Sequence, residues 1–416
     1  MFPFRSFSAV AFLLATLHLH ANGWRNPPDG ARALALAGGK IANLDDPSVI
    51  SHNPANLTLF DHRAFQAAYT LAFSEIEYEG FSGNSEHTKS PWKLLPPNLY
   101  YVHPLEPNEL VLGLGINSPA GQFTVWDREG DVAKFAPYFA KLAVFDVKPA
   151  IGIKVNEHLS LGFGADFYFS KLWADQLVPP GVAAFDTKTE AYGFGVGGNF
   201  GVTWQVNERH RWAFTYKSEV DVKYDGDYKV YAPPMRLKGD FDTNIRYPAI
   251  ATIGYGFSMT ENLTIGMDVE WLEFSDFEEL SLDNGLDLGP PAGGTVNLAQ
   301  DWKDTWTAGI TAEWKASDTW TWRAGYVFLE SPIPDKTFSP IVPFESDRHV
   351  LSFGGSYSWG ENERGIKKHV LDFAYLMNFP KDRSIPPLHA DGSSNPYGGH
   401  YKPEMHLFSI GYTYHF

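Results

Sequence analysis

HLFSIGYTYHF, residues 406–416, alternates without a break. In an extended strand Phe408, Ile410, Tyr412, Tyr414 and Phe416 fall on one face. Leu407, Ser409, Gly411, Thr413 and His415 fall on the other. The pattern recurs. In WTWRAGYVF (320–328), Trp320, Trp322, Ala324, Tyr326 and Phe328 oppose Thr321, Arg323, Gly325 and Val327. In NLTIGMDVEW (262–271) the apolar face runs Leu263, Ile265, Met267, Val269, Trp271, against Thr264, Gly266, Asp268 and Glu270. HLSLGFGADFYF (158–169) repeats it. Each run is about ten residues, the length a tilted strand needs to cross a bilayer.

The chemistry of the two faces decides the medium. A soluble sandwich buries its apolar face and hydrates a charged one. Here the less apolar face is rich in Gly, Ser and Thr with occasional charges, and the apolar face begins and ends in aromatics. Aromatic ends around an aliphatic middle suit two bilayer interfaces. A closed barrel is the β arrangement that leaves no backbone unpaired in lipid. The expected fold is all-β, a transmembrane antiparallel β-barrel of about 14 strands. Strands are placed near 64–75, 97–104, 109–119, 143–155, 158–172, 192–206, 209–220, 246–258, 262–272, 303–315, 318–329, 346–359, 367–378 and 404–416. Alternate links are short (VNEH at 155–158, MTEN at 259–262) and long (120–142, 273–302), as periplasmic turns and extracellular loops would be.

Composition narrows the function. The 416 residues contain no cysteine, which excludes thiol catalysis and cysteine-based zinc sites. A formal charge of −16 with no basic run argues against nucleic acid. MFPFRSF, with its single Arg5, and the apolar AVAFLLATL read as a signal peptide over residues 1–21. No later window has the roughly 18–20 apolar residues of a membrane helix. No nucleophile elbow, P-loop, HExxH or EF-hand pattern occurs. Neither an enzyme, a cofactor nor a metal is expected.

Residues 22–60 lack the barrel alternation but carry apolar positions, glycines and prolines. A segment of that size beside a barrel at 61–416 could fold back into the lumen as a hatch. Within it HNPANLTLF (52–60) holds Asn53, Pro54 and Ala55. Pro54 fixes its own backbone and pushes Asn53 towards extended geometry, and Asn before Pro caps a turn. The expected structure is a stiff elbow where plug meets wall.

With LDDPSVISHNPANLTLF (44–60), VKPAIGIKVNEHLSLGFGADF (147–167), IGYGFSMTENLTIGMDVEWLEFSDFEEL (253–280) and the SPIPD loop at 331–335, the chain resembles the FadL/TodX family of outer-membrane transporters for hydrophobic compounds. The resemblance implies a hatch-plugged fourteen-stranded barrel in the outer membrane of a Gram-negative-type bacterium. It implies capture of a long-chain fatty acid at extracellular loops, transfer to a lumenal pocket, and sideways release controlled by the hatch. The capture groove is expected on loop 120–142, where Phe123, Trp126, Phe135, Phe139 and Leu142 are apolar and AKFAPYFAKLA suggests a short amphipathic helix. An acid head group needs a cation, and the lumen-facing candidates are Arg323, Arg348, Lys148 and Lys154. The two arginines are preferred for bidentate geometry. The alternative is pairing with lumenal Asp146, Asp166, Asp268, Glu270, Glu313 or Asp372. Hydrocarbon uptake, a structural barrel and a general porin are the other readings. The expected partners are the hydrophobic ligand, outer-membrane lipid and lipopolysaccharide, with the protein a monomer.

Overall fold

The computed structural model describes residues 25–178, 185–286, 294–342, 346–361, 365–388 and 395–416. The expected signal peptide lies outside them. In chain order the first strands are β1 (Ala64–Glu79), β2 (Ser85–His87), β3 (Trp92–Leu94), β4 (Asn98–Glu106), β5 (Leu110–Asn117) and β6 (Gly121–Val125). Then come β7 (Phe139–Lys154), β8 (Leu159–Val178), β9 (Phe185–Gln205), β10 (His210–Lys217), β11 (Val220–Ala232) and β12 (Met235–Tyr247). They are followed by β13 (Ile250–Ser258), β14 (Leu263–Leu272), β15 (Glu279–Asp283), β16 (Thr295–Ala299) and β17 (Thr305–Lys315). The last are β18 (Trp320–Leu329), β19 (Arg348–Glu361), β20 (Lys367–Pro380), β21 (Arg383–Ile385) and β22 (Gly399–His415).

Fourteen of these close a ring. Its antiparallel order is β1, β4, β5, β7, β8, β9, β10, β13, β14, β17, β18, β19, β20, β22 and back to β1. The expected strand count therefore holds. The face assignment holds too, and it is the reverse of a soluble core. Phe408 and Ile410 are 43% and 54% exposed while Ser409 and Thr413 are buried. Met267 and Val269 point outward, and Asp268 and Glu270 are buried inside. Exposed apolar side chains around a buried polar lining are stable only where the surroundings are lipid.

The remaining strands pair with ring strands or with one another outside the closed ring. β11 and β12 form a hairpin that continues the upper half of β9, while β10 takes over its lower half. One expectation is corrected. AKFAPYFAKLA is not an amphipathic helix: residues 132–134 make one 3₁₀ turn, and Phe139 already begins β7. Phe139 and Leu142 are thus wall residues, because Leu142 and Ala143 pair with Gln122 and Gly121 of β6 in a ladder. Local backbone pairing outweighs the weak helical period of that stretch.

Residues 25–60 form helices α1 (Ala31–Ala35) and α2 (Val49–His52) and a 3₁₀ turn at Pro54–Leu59. They pack against the inward faces of many strands. Gly38 and Gly39 meet Gly309 and Gly266, backbone against backbone, where no Cβ fits. The Asp268 carboxylate accepts from the amides of Lys40 and Ile41 at 2.7 and 3.3 Å. Asp268 N in turn donates to Gly38 O at 2.9 Å. Ser352 Oγ donates to Ala35 O at 2.8 Å.

Candidate ligand cavity

The Asn-Pro-Ala elbow sits where the segment meets β8 and β9. Pro54 opens the 3₁₀ turn, and Asn53 Oδ1 caps it by accepting from Ala55 N at 3.1 Å. Asn53 Nδ2 donates to Ile41 O and to Thr203 Oγ1 of β9, both at 2.9 Å. Asn56 adds a bond to Leu44 O at 2.9 Å, and accepts from Thr203 Oγ1 at 2.7 Å. A Cβ on Gly162 of β8 would strike the Pro54–Ala55 peptide, so that wall position has to be glycine for the elbow to seat.

Beyond the elbow the chain entering the lumen is tied to β4 and β5. Asp29 accepts from Asn98 Nδ2 at 3.0 Å and from Asn117 Nδ2 at 2.7 Å. Burial pushes its carboxyl up to about 6, with nearby Lys148 and the Asn117 bond pulling the other way. His52 Nε2 lies 3.0 Å from Asp29 O, and burial holds the ring neutral with a pKa of about 3. Asn26 N donates to Pro119 O at 3.0 Å, and Arg25 bridges to Ala120.

Those last contacts fall at an interruption in the wall. β5 stops at Asn117, and among the described residues its continuation, β6, pairs only with β7. On the facing edge β4 starts at Asn98, preceded by Pro96 and Pro97. Leu99 pairs with Ile116 below, and Lys89 N donates to Val125 O at 2.7 Å above. Between these two closures, residues 90–97 and 118–124 share no ladder pairing among the described residues. The barrel wall has a bounded opening there. Proline on one edge explains part of it, since it cannot donate to a ladder.

A cavity of about 580 Å³ reaches this opening. Its inner walls include Ala72, Leu142, Val327, Val350, Leu376 and Leu407, and its outer mouth is lined by Trp92, Leu94, Phe123, Phe145 and Trp173. Five cations and one carboxylate, Glu270, line it among the described residues. Arg25 is paired with Glu270, and Lys40 Nζ lies 3.8 Å from Asp268. Lys93, Lys141 and Arg348 are the other three cations of the lining. The extracellular end is roofed by an apolar cluster that includes Trp126, Phe274, Phe277, Trp302, Phe338 and Tyr401. Trp126 Nε1 donates to Pro340 O at 3.0 Å, locking the 120–142 connection to the loop after SPIPD.

The sequence-predicted residues are thus dispersed. Phe123 stands at the edge of the opening, where its ring meets Phe139 at 5.9 Å. Trp126 and Phe135 belong to the roof, and Leu142 lines the cavity. Of the cations only Arg348 lines it. Arg323, preferred from sequence, is engaged elsewhere: Nε binds Glu313 at 2.5 Å and Nη1 binds Ser356 Oγ at 2.6 Å, with Asp372 at 3.6 Å. Lys148 is enclosed between Asp146 and Asp166, at 3.4 and 2.6 Å. Lys154 lies at the turn end of β7, 3.9 Å from Glu157. Sequence reasoning missed Lys93, Lys141, Lys40 and Arg25. The signal was present in Pro96-Pro97 and Ser118-Pro119, which break two adjacent strands at one height.

A closed fourteen-stranded barrel with a lipid-facing exterior, a folded segment in its lumen and a cavity reaching through the wall defines a class, the outer-membrane transport barrel. Residues 25–416 match the family described as outer membrane protein transport protein (OMPP1/FadL/TodX), and the chain belongs to that family. It is 25% identical over 406 residues to the long-chain fatty acid transport protein of Escherichia coli O6:H1, covering 86% of this chain and 88% of that one. A crystal structure of a Pseudomonas aeruginosa FadL homologue matches with a TM-score of 0.81 at 21% identity, covering 94% of this chain and 99% of the other. The Ralstonia pickettii toluene transporter TbuX matches with a TM-score of 0.73 at 20% identity, covering 94% and 99%.

Proposed function

We propose that this protein carries long-chain fatty acids across the outer membrane, with residues 25–60 acting as its hatch. The ligand is captured at the extracellular roof, held in the cavity and released sideways through the wall opening. The observation that carries the reading is the charge of the cavity lining. Among the described residues five cations and one carboxylate line the cavity, in a molecule whose formal charge is −16. A neutral hydrocarbon gives no reason to collect positive charge there, whereas a carboxylate requires it. The volume lies in the ordinary range of ligand pockets, roughly 300–1,000 Å³. Its aliphatic walls suit an alkyl tail, each buried methylene contributing about 0.8 kcal/mol.

The hatch supports the release step. Arg25, Asn26 and Asp29 contact β4, β5 and the 118–120 break directly. Any shift of this stretch therefore alters the border of the opening. The test is uptake of radiolabelled oleate and of toluene in cells lacking their own transporter, comparing wild type with Arg348→Gln. Loss of oleate uptake with toluene uptake retained is the expected result. Equal uptake of both by wild type and variant overturns carboxylate recognition and favours a hydrocarbon channel.

A further inference from the structure

We propose that Lys93 and Lys141 form a two-cation threshold in the wall opening, handing the ligand's carboxylate from the cavity to the outer surface of the barrel. This rests on the fatty acid reading above and assigns its last step. Phe123 is the pivot. Lys93 comes from the inner side: it hydrogen-bonds Ser74 Oγ, which is buried on the lumenal face of β1. Its ammonium stands 5.6 Å from the Phe123 ring centroid. Lys141 comes from the outer side. It is exposed on β7, directly opposite Phe123 on β6 and Trp173 on β8. Its ammonium lies 5.9 Å from the first ring and 4.9 Å from the second. The row continues outward through Lys171, over Trp173 at 4.5 Å and Tyr192 at 4.4 Å, with Glu190 at its ammonium.

One ring therefore connects an ammonium facing the lumen with an ammonium facing lipid, and both line the same cavity. Ring faces stabilise a cation without neutralising it. Among the described residues no carboxylate pairs with Lys141, so an arriving anion meets an uncompensated charge. The chemistry of transit asks for such a device. A carboxylate leaving through a low-dielectric wall must stay compensated at each position or lose far more than one contact supplies. Lysine suits a hand-over, being a point charge on a rotatable stem where arginine would offer a fixed fork.

The full-length protein is tested as Lys93→Gln/Lys141→Gln, with folding followed by heat-modifiable migration of the barrel. Oleate uptake is expected to fall roughly tenfold, the scale of one charge-assisted contact. Methyl oleate uptake should change less than about twofold, because the ester carries no charge for either lysine to meet. Wild-type oleate flux in the folded double variant overturns the threshold. So does an equal fall for methyl oleate, which would mark a steric effect. Loss of bound phosphorylated glycolipid with oleate flux intact would make the pair a lipid-docking patch and also overturn it. Ser118→Trp, which narrows the opening, separates the two levels: unchanged oleate uptake there refutes sideways release itself.

Discussion

Replacing Asp268 with alanine should release the lumenal segment while leaving the barrel closed. The carboxylate accepts two amides of that segment, Lys40 N at 2.7 Å and Ile41 N at 3.3 Å, and stands 3.8 Å from the Lys40 ammonium. Asp268 and Lys40 are both buried. Removing one partner of a buried charged pair costs about 3–5 kcal/mol, because the other charge and its donors stay behind unsatisfied. The bond from Asp268 N to Gly38 O survives in the variant, which favours the lower end of that range. A loss of about 3 kcal/mol raises the undocked fraction roughly a hundredfold. Amide exchange reads this directly. The amides of Leu44 and Val49, bonded to Lys40 O at 2.8 Å and Asp46 O at 3.0 Å, should exchange about two decades faster. Strand amides of β19, β20 and β22 should keep their protection, since none contacts Asp268. Exchange over residues 36–50 within twofold of wild type would refute the view that this carboxylate holds the lumenal segment in place.

Two further outcomes follow from the same packing. Gly162→Val should displace the elbow at a cost of about 1–3 kcal/mol, exposing residues 53–60 to protease. Gly198→Ala should be silent, as its Cβ would meet only Gly164 O, at 3.7 Å. Asp29 predicts a pH response. Its folded pKa of about 6 lies above the usual carboxylate value, so the docked state binds the proton more tightly than the released state. Taken alone, Asp29 strengthens docking as pH falls through about 6, while His52, held neutral with a pKa of about 3 when docked, opposes it over the same range. In a His52→Gln background, where only Asp29 acts, single-channel openings in planar bilayers should be rarer at pH 5 than at pH 7. Asp29→Asn should remove that difference.

The barrel was legible because its signal is periodic and repeated. In 406–416 and 320–328 the parity of the aromatic residues alone gives the face, and lipid leaves one solution for the backbone. The lumenal position of 25–60 was readable only as an expectation, since Gly162, Gly39 and Gly266 look like ordinary strand or turn glycines until their opposite partners are known. The site was less accessible for a stated reason. Lumenal cations alternate identically whether they bind ligand or a neighbouring carboxylate. Arg323 and Arg348 each face inward from the wall, and Arg323 meets Glu313 across one ladder pair away from the cavity that Arg348 lines. Lys141 shows a different failure. It lies inside the expected loop 120–142, ahead of the strand placed near 143–155, so no face parity is read for it, and only the earlier start of β7 at Phe139 and the wall opening bring it to the cavity.

The proposed sideways release has an energetic basis. A tail buried against Leu142, Val350, Leu376 and Leu407 is held by about 0.8 kcal/mol per methylene relative to water. Release into the periplasm would have to reverse that sum for every methylene, which makes a good binding cavity a poor exit. Release into the leaflet exchanges one apolar surrounding for another, so the tail contributes almost nothing to the barrier. What remains is the head group, a single charge crossing a wall. The rate of transport should then depend little on chain length and strongly on the groups that meet the carboxylate at the border. Oleate and palmitate uptake should accordingly differ by less than about threefold, while the Lys93 and Lys141 replacements slow both alike. A steep fall in rate with each added methylene would place the barrier on the tail, and would refute release through the wall.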